Sequence, residues 1–181
     1  MDLTLPLTKE IVKSLKIGDV VYLTGYAYTC RDAAHKRIQN TLEKGEKSPI
    51  DWTNQTIFYA GPCPTKPGKT TGSIGPTTAL RMDPFAEMMF QQGMVAMIGK
   101  GSRSDFIPAL CKEYGGVYLL GIGGASAINT KQIKSIEVVE YEDLGTESIK
   151  KLYFNRFRVI VGIDTAGDVL QTREIQKYKR L

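Results

Sequence analysis

The chain has 181 residues, 42% of them hydrophobic and 24% charged, with a net charge of +5. That composition describes a globular domain with its own core, and the length leaves room for one domain, or for two only if both are small. No run of about 18 apolar residues occurs, and the opening MDLTLPLTKE has no basic flank ahead of an apolar stretch. Neither a membrane span nor a signal peptide is therefore expected, and the cytoplasm is the expected location. The positive charge suits acidic small molecules as well as nucleic acid and does not choose between them.

Residues 1–16 read as an N-terminal extension in which Leu3, Leu5 and Leu7 alternate before Thr8 caps a helical turn through Leu15. Gly18-Asp19 is a turn, and Val20–Tyr28 is a β-branched and aromatic strand. A helix follows from Ala33 to about Lys44, with Asp32 as its cap. Thr56–Ala60 reads as a short buried strand that opens into the loop Gly61–Gly75, of a length usually kept for function. Pro76–Gln92 reads as a helix that turns Phe85, Met88 and Met89 to the core and ends at Gly93. Then come a strand at Met94–Ile98, a helix at Ser104–Tyr114 and a strand at Gly116–Leu120. The remaining elements are a strand at Lys134–Tyr141, a short helix at Glu142–Leu152, a last strand at Arg156–Asp164 and a turn at 164–168. Residues 169–181, with Arg173, Lys177, Lys179 and Arg180, form a basic, frayed tail. Alternating elements with five or six short strands predict a single α/β domain whose polar residues collect at strand ends.

Two phosphate-loop patterns fail on inspection. In GPCPTKPGKT (61–70), Cys63 stands where a Walker loop needs its first glycine, and the prolines remove N–H donors. In GIGGA (121–125), Ser126 replaces the third glycine of a dinucleotide fingerprint. Cys30, Cys63 and Cys111 are odd in number and widely spaced, without the C-x-x-C spacing of metal or cluster sites, and read as small buried hydrophobes.

The richest stretch is Gly72–Asp83, GSIGPTTALRMD. Its glycines would let backbone N–H groups approach an anion, and Thr77 and Thr78 would stand at a helix start, with Arg81 one turn on. A capped helix with an exposed arginine is the plainer alternative. Arg31 follows a strand end, and Lys100 lies between two glycines at another. His35, the sole histidine, reads as a hydrogen-bonded structural residue. Arg31, Ser73, Thr77, Thr78, Arg81 and Lys100 together offer three cations and three hydroxyls, which predicts a receptor for a dianion such as a dicarboxylate gripped at both ends. No His–carboxylate pair or metal-ligand cluster accompanies them, so the chain reads as half a site.

The segments YTCRDAAHKR (28–37), YAGP (59–62), GSIGPTTALRMD (72–83), IGKG (98–101), Tyr114–Gly124 and YEDLGTES (141–148) resemble, in this order, the β subunit of the class I fumarate hydratase and L-tartrate dehydratase family. The resemblance covers about residues 15–168. It implies a swivelling β/β/α domain with a mixed or mostly parallel sheet, closing over a [4Fe–4S] cluster that the partner α subunit holds. It also implies that Arg31, Thr78, Arg81 and Lys100 bind substrate and that Thr77 is the base removing the C3 proton. Ser73, Asp32 and His35 support them, and no residue of this chain binds metal. Cys30 stands where the family usually has alanine. The leading function is reversible hydration of fumarate to L-malate, with L-tartrate dehydration the alternative. A non-catalytic interaction domain is the reading of another class, and a nucleic-acid binder driven by the basic tail is a third.

Overall fold

The computed structural model describes residues 1–65, 67–68 and 71–179. Its strands are β1 (Asp2–Thr4), β2 (Val20–Thr29), β3 (Thr56–Phe58), β4 (Ala96–Gly99), β5 (Val117–Leu120), β6 (Ile133–Glu140) and β7 (Ile149–Ile163). Its α-helices are α1 (Lys9–Ser14), α2 (Asp32–Glu43), α3 (Ala86–Gln91), α4 (Ile107–Tyr114), α5 (Ser126–Lys131) and α6 (Leu170–Tyr178). The seven strands form one sheet in the order β1-β2-β3-β4-β5-β7-β6. The β1-β2, β2-β3, β3-β4 and β4-β5 pairs are parallel, whereas β7 runs antiparallel to β5, β6 and β2. Because β7 pairs with both β2 and β5, strands β2, β3, β4, β5 and β7 close into a ring, with β1 and β6 attached outside it. Closure leaves those five strands without a free edge.

Two apolar clusters follow from the alternation along β2 and β7. One fills the ring with Val21, Leu23, Ala27, Phe58, Ile98, Leu119, Phe154, Phe157 and Val159. The other lies beneath α2, α3 and α4, around Ile38, Trp52, Tyr59, Met89, Met97 and Tyr118. Residues 1–16 are woven into the first cluster: β1 pairs in parallel with Tyr22–Thr24, and Leu5, Leu7, Val12 and Leu15 are buried. Thr8 caps α1, as the sequence suggested.

Three expectations change. Residues 76–92 are not one helix: Pro76–Thr78 are extended, Ala79–Phe85 is a 3-10 segment, and only Ala86–Gln91 is α-helical. Pro84 lies inside the 3-10 segment and supplies no N–H for an α-helical bond there, which separates it from the α-helix that follows. Ile149–Leu152, read as the end of a helix, opens the 15-residue β7, where pairing with both β2 and β6 overrides a weak local pattern. The tail forms α6, in which Glu174 pairs with Arg173 and Lys177. Lys69 and Thr70 of the Walker-like pattern and Arg180 of the tail lie outside the described residues. Among the described residues no helix is long and apolar enough to cross a membrane.

Candidate active site

The parallel strands β2, β3 and β4 end together, and at that end the chain makes a splice. Tyr59 N–H still donates to the Ile98 carbonyl (2.8 Å), but beyond it the two strands part. Residues 76–79 enter the gap. Thr77 N–H donates to Tyr59 O (2.7 Å), Lys100 N–H to Thr77 O (3.0 Å), and Ala79 N–H to Lys100 O (2.9 Å). Thr77, Thr78 and Lys100 are thus fixed by main-chain bonds at the ends of parallel strands. No α-helix N-terminus is involved, which corrects the anion site expected from the proline and threonines.

The glycines of the stretch also serve a different purpose. A Cβ on Gly72 would come within 2.0 Å of the Cys63 carbonyl oxygen, and one on Gly75 within 2.3 Å of Ser126 Oγ. They allow chain segments to touch each other. Ser73 is exposed and lines a separate cavity of about 670 Å³ with Cys63, Thr71, Lys131 and Lys134, away from the splice. Cys63 is exposed on this loop, contrary to the buried role expected of all three cysteines, while Cys30 and Cys111 are buried.

Thr77 Oγ donates to the Tyr59 carbonyl at 2.9 Å, so its lone pairs remain free to accept. Thr78 and Lys100 are exposed, and among the described residues the Lys100 ammonium has no hydrogen-bond or ion-pair partner. Arg81 leaves the 3-10 segment and meets Asp32 side-on, with Nε–Oδ1 at 3.0 Å and Nη2–Oδ2 at 2.5 Å. Asp32 is therefore not the cap of α2: Arg31 occupies the cap position, and the carboxylate that accepts an N–H there is Glu147, from Ala33 at 2.9 Å. Arg31 Nη2 lies 3.2 Å from Glu147 Oε1 and 3.9 Å from Asp32 Oδ2. The result is a chain of alternating charge, Glu147–Arg31–Asp32–Arg81, joined to the splice through the backbone of the 3-10 segment that carries Arg81.

His35 is fully buried beneath this chain. Its Nδ1 donates to Arg31 O at 2.8 Å, and its ring stacks on Phe85 and meets Tyr59 edge-on. Burial lowers its pKa to about 4, with the Arg31 carbonyl opposing the shift. A folded-state value below the ordinary 6.5 means that the unfolded chain binds the extra proton more readily. The stability held by neutral His35 is therefore complete above about pH 6.5 and is lost as pH falls toward 4, by at most about 3 kcal/mol. Chemical unfolding at pH 4.5 and 7 should show this loss in the wild type and a smaller one in His35→Phe; equal losses would contradict it.

Deeper still, Asp83 and Arg103 form an almost wholly buried ion pair, with Nε–Oδ1 at 2.5 Å and side-chain exposures of 2% and 1%. Asp83 also accepts from Ser104 N–H at 2.6 Å. The Arg103 guanidinium lies over Tyr118 at 4.7 Å and Tyr59 at 5.6 Å, measured to the ring centroids. Burial pushes the Tyr59 phenol up to about 12, with Arg103 opposing. Sequence reasoning missed Arg103, Asp83 and Glu147, each of which acts across a long stretch of chain.

Among the described residues no three His, Cys, Asp or Glu side chains gather as a metal site. The Cys30 and Cys111 thiols are raised by burial, Cys111 to about 12, which disfavours the thiolate that binds iron. Among the described residues these side chains do not fit an iron–sulfur cluster.

Comparison with known proteins gives the family of the chain. The family model for the fumarase C-terminus matches residues 1–173. The aerobic class I fumarate hydratase of Escherichia coli K12 is 38% identical over 173 residues, which cover 93% of this chain and 31% of that protein. The chain thus spans about a third of that relative's length. The L(+)-tartrate dehydratase subunit beta of E. coli K12 is 34% identical, covering 93% of this chain and 85% of that subunit. A protein named putative L(+)-tartrate dehydratase subunit beta in Methanocaldococcus jannaschii is 36% identical, covering 97% of this chain and 93% of that protein. The match runs through the strand ends, the splice and the Glu142–Glu147 segment alike, and the chain belongs to the fumarase C-terminus family.

Proposed function

We propose that this chain is the β-type portion of a hydro-lyase that adds water to fumarate to give L-malate, with dehydration of L-tartrate to oxaloacetate as the alternative of the same class. What supports the reading is that Arg31 and Arg81 share Asp32 while the Lys100 and Thr77 main chains are bonded to each other at the neighbouring strand ends, in a chain 38% identical to a fumarate hydratase and 34% identical to a tartrate dehydratase β subunit. The Lys100 ammonium and the guanidinium N–H groups that Asp32 and Glu147 leave unpaired suit carboxylates. Arg31 and Arg81 hold the acid, and Lys100 and the arginines oppose the charge that builds on a carboxylate when the neighbouring carbon loses its proton. Thr77 handles that proton. Its oxygen already has one hydrogen directed at the Tyr59 carbonyl, so it must act from the deprotonated form, favoured by the adjoining cations in a water-poor site.

We assign the [4Fe–4S] cluster to a partner α subunit, where it would supply Lewis-acid chemistry. This chain contributes binding and proton handling. Swivelling of the domain on its partner would close the exposed site, and the cytoplasm remains the proposed location. The test is anaerobic purification of the tagged chain from its own cells, with assays on fumarate and L-tartrate. A brown second subunit with activity on one acid is the expected result and names the substrate. A colourless, lone, inactive chain would overturn the reading in favour of an interaction domain.

A further inference from the structure

Arg31 lies in a slot built by two distant parts of the chain. On one side is Gly61: a Cβ there would stand 3.0 Å from Arg31 Nη1 and 2.7 Å from Thr146 Cγ2, so only glycine leaves room for both. At the end of the slot is Glu147, whose Oε1 is the nearer carboxylate oxygen to Nη2. Among the described residues the buried Arg31 Nε has no acceptor, and the guanidinium's ion pairs there are made by Nη2.

Glu147 is itself held firmly. The 3-10 segment Glu142–Glu147 is strapped to α2, with Asp143 taking both Arg37 Nη1 (2.7 Å) and Nη2 (2.8 Å). Its root is nailed down by the buried Lys150 ammonium, which donates to Gly145 O at 2.8 Å and lies 2.5 Å from Ser148 Oγ. Glu147 Oε2 meanwhile takes the Ala33 N–H, fixing the carboxylate against the start of α2. One carboxylate therefore links the strap, the helix and the guanidinium.

We propose that Glu147 is a positioning residue for Arg31, and that the strap it ends is a working part of the substrate site. The proposal rests on the function proposed above for Arg31. A guanidinium that binds a carboxylate side-on must be aimed in its plane, and a displacement of about 1 Å can cost on the order of 100-fold in rate. Glu147→Gln separates the roles, because its amide oxygen can still accept from Ala33 while the charge that aims Arg31 is gone.

The test uses the assembled two-subunit enzyme, with Glu147→Gln, Arg31→Lys and the double variant assayed on fumarate and L-tartrate. The expected result for Glu147→Gln is a fall in kcat of tenfold or more, a raised KM because Arg31 also holds the acid, and an unaltered melting temperature. In the Arg31→Lys background Glu147→Gln should have no further effect, because its action passes through Arg31. An unchanged kcat, or effects that multiply, would overturn the proposal. The second readout is the Arg31 Nε–H resonance in the ¹⁵N spectrum of the isolated full chain. It should be sharp and slowly exchanging in the wild type and broadened in Glu147→Gln; identical spectra would overturn the positioning role. An enzyme inactive on both acids, with the spectral change intact, would instead refute the proposed function.

Discussion

Replacing Thr77 by alanine should lower kcat of the assembled enzyme by about 10²–10⁴-fold, the usual worth of a positioned proton-transfer group. The same change should leave the fold and subunit assembly alone. The bonds that splice residues 76–79 between β3 and β4 are made by main-chain N–H and C=O groups, and alanine keeps every one of them. Only the hydroxyl bond to the Tyr59 carbonyl disappears. KM should move little, since the carboxylates are held by Arg31, Arg81 and Lys100, and Thr77→Ser should restore part of the rate. Steady-state kinetics beside a gel-filtration profile would decide it. Near-normal turnover in Thr77→Ala would remove the proton-handling role from this residue.

The second large effect concerns stability. Asp83→Ala strands the Arg103 guanidinium in the interior between Tyr59 and Tyr118, together with the Ser104 N–H. Removing one partner of such a buried pair costs about 3–5 kcal/mol, so the melting temperature should fall on the order of 10 °C. Removing both charges in Asp83→Ala/Arg103→Met should recover much of the loss, because no uncompensated charge is then left inside. Thermal unfolding of the three proteins is the check. A double variant no more stable than Asp83→Ala would show that the pair holds shape through packing alone. Because Arg103 lies over the ring of Tyr59, whose carbonyl holds Thr77, the single change should also reduce kcat.

The sequence was most legible where local chemistry and tertiary pairing agree. The β-branched run at Val20–Tyr28 and the Thr8 cap lie where their residues suggested. Pro76 and the threonines misled because proline suits a helix start, while the open main-chain groups of Tyr59 and Lys100 offered this segment a better set of partners. Ile149–Leu152 carries no decisive period, and its strand exists because β2 and β6 flank it. Arg31, Thr77, Arg81 and Lys100 stood out through polar residues at glycine-rich strand ends. Glu147 left no such mark: it sits in an acidic loop, 114 positions from the helix N–H it accepts, and only folding brings it to Arg31. The ion pair of Asp83 and Arg103 was equally hidden, since neither residue shows its burial in the sequence around it.

If Arg31 and Arg81 grip the two carboxylates of one small acid, binding without reaction reports it most directly. Succinate has both carboxylates and no double bond to hydrate, so its inhibition constant reports the grip alone. The wild-type complex should bind succinate at least tenfold more tightly than butyrate, and Arg81→Met should weaken succinate by tenfold or more while leaving butyrate nearly unchanged. Equal affinity for the two acids, or succinate binding untouched by Arg81→Met, would contradict the account.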